Sequence, residues 1–77
     1  MTVTLKLLCR EQFGDLPDGD YDVPEGVCAA EALAYCAGLP RERAETVMFM
    51  RNGKHVQPDA ALSDGDTLMV LRPLRGG

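Results

Sequence analysis

The sequence predicts a small α+β domain with one helix packed across a sheet, and three observations support this. Two segments near the start alternate apolar and polar residues, as half-buried strands do. One segment then takes the period of a helix. Three further extended segments follow, separated by Asn-Gly and Asp-Gly-Asp turns. We therefore expect two antiparallel hairpins, with the first and last strands side by side at the centre of the sheet.

The first hairpin is predicted from "TVTLKLL" and "DYDV". In the first segment every second residue from Val3 to Leu7 is apolar. In the second, Tyr21 and Val23 point inward and two aspartates point outward, which suits an exposed edge strand. The segment "FGDLPDGD" between them is rich in turn formers, so the chain reverses there.

The helix is predicted within "PEGVCAAEALAYCAGL". Cys28 occupies the position before the helix, and Glu31 follows at capping-box spacing. A thiol is a poor cap, so this helix start is expected to be weak. Gly38 is a stop signal, and "PRERAE" beyond it has room for one short helical turn. The predicted inward face consists of Ala29, Ala32, Leu33, Cys36 and Ala37.

The second half is predicted to be three strands. Asn52-Gly53 between extended segments is a strong signal for a type I′ hairpin turn, and Pro58 ends the return strand. Asp64 and Asp66 flank a second turn. We interpret their carboxylates as turn-forming groups rather than metal ligands.

The alternation of the last strands predicts an apolar outer face on the sheet. If Phe49 and Val70 point into the core, their neighbours point out. Exposed apolar clusters usually mark interaction sites, and methionines adapt to several partners. The alternatives are that both faces are covered, or that the assignment is shifted by one residue. The predicted partner-binding residues are Met48, Met50, Met69, Leu71 and Leu8, together with Arg72 beside them.

Length and composition limit the possible functions. The chain has 77 residues, enough for one domain but not for an enclosed active site, which favours a binding or carrier protein. Its net charge is −4 and it has no basic stripe, so nucleic-acid binding is not expected. We expect no membrane span and no signal peptide, and hence a cytoplasmic protein.

The cysteines and the histidine do not indicate a metal site. Cys9, Cys28 and Cys36 are odd in number and lack CxxC spacing, and His55 is the only histidine. Neither a zinc site nor a disulfide framework is therefore predicted. The thiols could hold sulfur as persulfides, but buried structural thiols are the commoner case.

The carboxyl-terminal segment sets the domain boundary. We assign residues 1–71 to the domain and residues 72–77 to a flexible tail ending in Gly-Gly. A frayed end is the usual meaning of such a segment. Pro73 lacks an N–H group and would stop the last strand from pairing further. The rest of the tail is Leu74, Arg75, Gly76 and Gly77.

The element order, together with "RNGK", "LSDGDTLMV" and a terminal "GG", resembles the β-grasp sulfur carriers over the whole chain. These include the small subunit of molybdopterin synthase and the thiamine-pathway sulfur carrier, and the last "RGG" also resembles ubiquitin. The resemblance implies a ubiquitin-like β-grasp fold with a mixed four- to five-stranded sheet. "CREQFG" after the first strand is similar to the molybdopterin type, whereas Arg75 and the short segment after the helix depart from it.

The resemblance also implies a chemistry for the tail. A partner enzyme would use ATP to adenylate the α-carboxylate of Gly77, and a sulfur nucleophile would then displace AMP to leave a thiocarboxylate. Glycines at positions 76 and 77 would allow a narrow channel to close around them. The chain would be a carrier and not an enzyme, although it could be the small subunit of a synthase. It would bind no cofactor itself.

Two partners follow from this reading, and two alternatives stay open. The partners are an adenylating enzyme of the ubiquitin-activating type and a sulfur-accepting synthase subunit. In the first alternative, the chain is a ubiquitin-like modifier joined to lysines through Gly77. In the second, it is a β-grasp interaction domain whose Gly-Gly has no chemical role. The fold alone cannot separate these functions.

Overall fold

The computed structural model describes residues 1–8 and 16–72, and the order of elements there is the predicted one. The short helical turn expected in "PRERAE" is present as a second helix. The elements are β1 (Thr2–Leu7), β2 (Gly19–Asp22), α1 (Ala29–Ala37), α2 (Arg41–Ala44), β3 (Met48–Arg51), β4 (Lys54–Val56) and β5 (Thr67–Leu71).

The five strands form one mixed sheet in the order β2-β1-β5-β3-β4. The first and last strands, β1 and β5, are parallel neighbours at its centre, and the other pairs are antiparallel. The buried residues of α1 belong to the same core cluster as those of the sheet, so the helix covers one face. This is the α+β, β-grasp arrangement that the sequence predicts.

The core is formed by the predicted alternate positions of the strands. Val3, Leu5, Phe49, Leu68 and Val70 have no exposed surface. Facing them, α1 contributes small residues and one leucine, which lets the helix lie close to the sheet. Its buried residues are Ala29, Ala30, Ala32 and Leu33, while Cys36 and Ala37 are half-buried at the edge of the core.

The helix α1 has the predicted ends. The carboxylate of Glu31 accepts a hydrogen bond from the Cys28 N–H at 3.0 Å. That bond is the main reason why the pKa of Glu31 is lowered from its ordinary value. At the other end Gly38 is left-handed, with φ 70°, and its N–H donates to the carbonyl of Ala34 at 2.9 Å. The guanidinium of Arg41 bridges Glu31 to α2 at 3.2 Å.

The two turns of the second half are joined by side chains. Asn52 and Gly53 both have positive φ, 53° and 86°, as a type I′ turn requires. The Asn52 amide donates to Asp66 at 3.0 Å and accepts from the Thr67 N–H at 2.8 Å. Asp66 also accepts from the Ser63 N–H at 2.8 Å, and this bond is the largest cause of its lowered pKa.

The Asp-Gly-Asp turn also holds the first strand. The Thr2 N–H donates to the Asp64 carboxylate at 2.7 Å, and the Gly65 N–H donates to the Thr2 carbonyl at 2.7 Å. The Thr4 N–H donates to the Asp66 carbonyl at 2.9 Å. Asp66 is therefore a turn-forming group, as the sequence predicts, whereas the Asp64 carboxylate binds the backbone of the first strand.

The strand ends differ slightly from those predicted. The second strand starts at Gly19 and ends at Asp22, so Val23 lies beyond it, although Val23 is buried and its N–H donates to the Met1 carbonyl at 2.8 Å. The return strand ends at Val56, two residues before Pro58. Within the described part of the chain, neither helix is long and apolar enough to cross a membrane.

Candidate partner-binding face and carboxyl-terminal segment

The predicted outward residues lie on the sheet face opposite α1. Along β3 and β5 burial alternates, and Phe49, Leu68 and Val70 are fully buried. The residues between them are only half-buried, so the predicted alternation is confirmed. We call the set Leu8, Met48, Met50, Met69 and Leu71 the outer apolar patch.

The strand register places the members of this patch next to one another. Met48 is opposite Leu71, and Met50 is opposite Met69. Side chains directly opposite on one sheet face have Cβ atoms about 5 Å apart. Leu8 continues the patch beyond β1, since its N–H donates to the Val70 carbonyl at 2.8 Å and its side chain is 58% exposed.

The half-buried members of the patch are not part of the core. The partly buried hydrophobic residues that pack against the core are a different set, which includes Met1, Tyr21 and Val56 but none of the patch residues. Each of the three methionines of the patch keeps part of its surface exposed. Their apolar area is available to a partner without any rearrangement of the core.

Charged and titratable side chains border the patch. Lys6 is opposite Met69 across β1 and β5, and His55 is opposite Met50 across β3 and β4. Both are exposed. At the β2 edge of the sheet, Asp20 and Asp22 accept hydrogen bonds from the hydroxyls of Thr4 and Thr2. Among the described residues, Lys6 thus places a positive charge beside the patch, although the chain is acidic overall.

The sequence carries a signal for the positions of both Lys6 and His55. Lys6 has the same outward parity as Leu8 in "TLKLL". A two-residue turn at Asn52-Gly53 fixes His55 opposite Met50. Strand register as well as alternation determines that these two side chains lie beside the patch.

The chain leaves the sheet at the patch. β5 ends at Leu71, and the next residue, Arg72, is exposed. The predicted tail residues Leu74, Arg75, Gly76 and Gly77 lie outside the described residues, as does Pro73. Their roles stay predictions, and so does the domain boundary after residue 71.

The cysteines do not form a reactive site among the described residues. Cys28 is buried at the start of α1, and Cys36 is half-buried. Burial raises the pKa of the Cys36 thiol, which disfavours the nucleophilic thiolate. Cys9 lies outside the described residues. In residues 1–8 and 16–72, no three His, Cys, Asp or Glu side chains group closely enough to hold a metal ion.

Comparison with known proteins identifies one matching family and several structures with a similar fold. A family model described as the ThiS family matches residues 10–77. SAMP1 from Haloferax volcanii is a structural neighbour with 22% identity and a TM-score of 0.70, and the match covers 100% of both chains. No curated relative matches the chain.

Two further structural neighbours belong to molybdopterin-converting factors. A putative subunit 1 from Pyrococcus furiosus has 22% identity and a TM-score of 0.71, covering 96% of this chain and 99% of that one. A chain from the complex of subunits 1 and 2 from Helicobacter pylori has 20% identity and a TM-score of 0.55, with 100% of both chains covered. At these identities the neighbours establish the fold alone.

Proposed function

The chain belongs to the ThiS family, and on this premise we propose that it carries sulfur as a thiocarboxylate on the α-carboxyl group of Gly77. The observation that carries the proposal is the continuity between the outer apolar patch and the tail. Leu71 is a patch residue, and the chain continues from it through Arg72 towards Gly77. A partner that covers the patch is therefore beside the start of the tail.

The length of the tail sets how far the carboxylate can travel. Five residues follow Arg72, and fully extended they span at most about 18 Å. A partner bound to the patch would thus receive the carboxylate within this distance. Gly76 and Gly77 have no side chains, so an enzyme wall can close around them.

The proposed chemistry needs only one group from this chain. A carboxylate oxygen of Gly77 attacks the α-phosphorus of ATP held by the partner, and pyrophosphate leaves. Hydrosulfide supplied by a sulfur donor then attacks the acyl carbon, AMP leaves with the C–O bonding pair, and loss of the S–H proton gives the thiocarboxylate. The chain itself binds no cofactor and catalyses no step in this proposal.

Two partners are required in turn. An adenylating enzyme activates the carboxylate, and a synthase subunit accepts the sulfur. The Helicobacter pylori neighbour is described as a complex of subunits 1 and 2, which supports an equivalent synthase subunit here. We propose a molybdopterin-type acceptor, because "CREQFG" follows the first strand, and a cytoplasmic location.

Intact mass spectrometry of the protein purified from its own host tests the proposal. The expected result is a species about 16 Da heavier than the mass ending in Gly77, because sulfur replaces one oxygen, with fragmentation placing the gain on Gly77 and on no methionine. Pyrophosphate exchange with the host's adenylating enzyme is the second readout. Removal of Gly77, or addition of one alanine after it, should abolish exchange while thermal melting is unchanged. Normal exchange by the folded, extended variant contradicts the proposal.

A complementation pair identifies the acceptor. The chain is expressed in one strain lacking the molybdopterin-synthase small subunit and in another lacking the thiamine sulfur carrier. We expect it to restore only the first. Rescue of only the second strain would contradict the molybdopterin-type acceptor and indicate a thiamine-type acceptor.

Conjugation to proteins is the second candidate, because "LRPLRGG" resembles the end of ubiquitin. In that case Gly77 would form an isopeptide bond with a lysine amine in place of a thiocarboxylate. Host proteins carrying Gly-Gly remnants of this chain on lysines would support it. If both the Gly-Gly remnants and the heavier species are absent, the result would favour an interaction domain without conjugation.

A further inference from the structure

Three of the four methionines of the chain lie in the outer apolar patch. Met50 and Met69 are directly opposite each other, and Met48 is two residues from Met50 on the same face. All three are half-buried and none packs against the core, whereas Met1 does. Their thioether groups thus lie together on the sheet face opposite α1, where each side chain is partly exposed.

We propose that Met48, Met50 and Met69 form an oxidation site for hydroperoxides, and that their oxidation releases the partner from the patch. The oxidation site is inferred only from the partial exposure of the three methionines and their positions on the sheet. The release step rests on the proposed function, because it requires the patch to be the partner-binding surface.

The reaction is a two-electron oxygen transfer. A lone pair of the thioether sulfur attacks one peroxide oxygen, an S–O bond forms and the O–O bond breaks. The sulfur is oxidised to a sulfoxide, and the hydroperoxide is reduced to water or an alcohol. Cellular reductases return methionine sulfoxide to methionine, so the change is reversible.

A sulfoxide has a different effect here than in the core. It is polar, and its oxygen must be hydrated or hydrogen-bonded. On the open face, water can reach it in the free protein, so the fold is retained. In a complex the same oxygen would be buried in an apolar contact, so the partner should dissociate.

The experiment treats the full chain with limiting hydrogen peroxide and then with a thiol reductant, which reverses reversible cysteine oxidation but not sulfoxides. Peptide mass spectrometry locates each gain of about 16 Da. We expect Met48, Met50 and Met69 to react before Met1. Thermal melting should be nearly unchanged, and the treated protein should elute earlier from a hydrophobic-interaction column.

The matched control replaces all three patch methionines with leucine and retains Met1 and every cysteine. Each protein is compared only with its own untreated sample. Peroxide should weaken binding of the native chain to the host's adenylating enzyme at least about tenfold. Peroxide should not change the binding affinity or the column retention of the leucine variant.

Several results would overturn the inference. They are preferential oxidation of Met1, unfolding of the oxidised chain, or unchanged affinity after the three patch residues are oxidised. Equal loss of binding by the leucine variant would assign the effect to the cysteines and overturn it too. If untreated protein binds no adenylating enzyme, the proposed function fails, and peptide masses with column retention still decide the oxidation site.

Discussion

Aspartate substitutions at two neighbouring residues of β3 should have very different effects on stability, because the two side chains lie on opposite faces of the sheet. Met50 is half-buried on the outer face, and Phe49 is fully buried beneath α1. Burying a methionine side chain completely contributes about 1.5–3 kcal/mol, so Met50→Asp should cost about 1 kcal/mol. Truncating a buried phenylalanine alone costs about 3–5 kcal/mol, and Phe49→Asp adds an unpaired buried carboxylate.

The total stability makes this difference easy to measure. At about 0.05–0.15 kcal/mol per residue, a chain of 77 residues has about 4–12 kcal/mol. Met50→Asp should therefore remain folded, while Phe49→Asp should be largely or wholly unfolded. Urea denaturation followed by circular dichroism gives the free energy of unfolding of each variant.

The register predicts a finer order among the outer-face variants. Met69→Asp places a carboxylate opposite Lys6, so it should cost less than Met50→Asp. The double variant places two carboxylates opposite each other and should lose about 0.2–1 kcal/mol more than the sum of the single losses. Comparable unfolding by Met50→Asp and Phe49→Asp would refute the face assignment. Equal costs for Met50→Asp and Met69→Asp would refute the pairing with Lys6.

Three further predictions concern the turns and the helix start. Because the pKa of Asp66 is lowered in the folded state, its stabilising contribution is present above the unfolded pKa of about 4 and is lost as the pH falls through the folded value. In denaturation series from neutral to acidic pH, Asp66→Asn should therefore lose less stability than the native chain. Gly53→Ala should cost about 1 kcal/mol in urea denaturation because φ there is 86°, whereas an equally stable variant would exclude the left-handed turn. Cys28→Thr should add about 0.5–1 kcal/mol in thermal melts by supplying a hydroxyl cap, and a lower melting temperature would contradict this.

The elements that depend on local pattern could be predicted from the sequence. The period-2 alternation located the core and outer residues of β1, β3 and β5. Gly38 and the spacing of Glu31 from Cys28 gave both ends of α1. The type I′ turn at Asn52-Gly53 followed from the two residues alone.

Contacts between distant parts of the chain were harder to predict. Asn52 and Asp66 are 14 residues apart, and their hydrogen bond exists because β3 and β5 are neighbours in the sheet. In the sequence, the patterns of the two turns are independent of each other. The guanidinium of Arg51 likewise donates to the carbonyl of Ala61, for which the sequence pattern offers no signal. The position of Lys6 beside the patch required the parallel register of β1 and β5 as well as their adjacency.

The position of β5 has a consequence for synthesis of the protein on the ribosome. It is the last strand to be translated, yet it lies between β1 and β3. Before β5 emerges from the exit tunnel, neither of those strands has its central neighbour, and the nascent chain exposes unpaired strand edges. The sheet can be completed only after the chain has been translated through Leu71, so this domain completes its fold late in its own synthesis. A nascent chain stalled before Thr67 should therefore be sensitive to proteases and recruit chaperones.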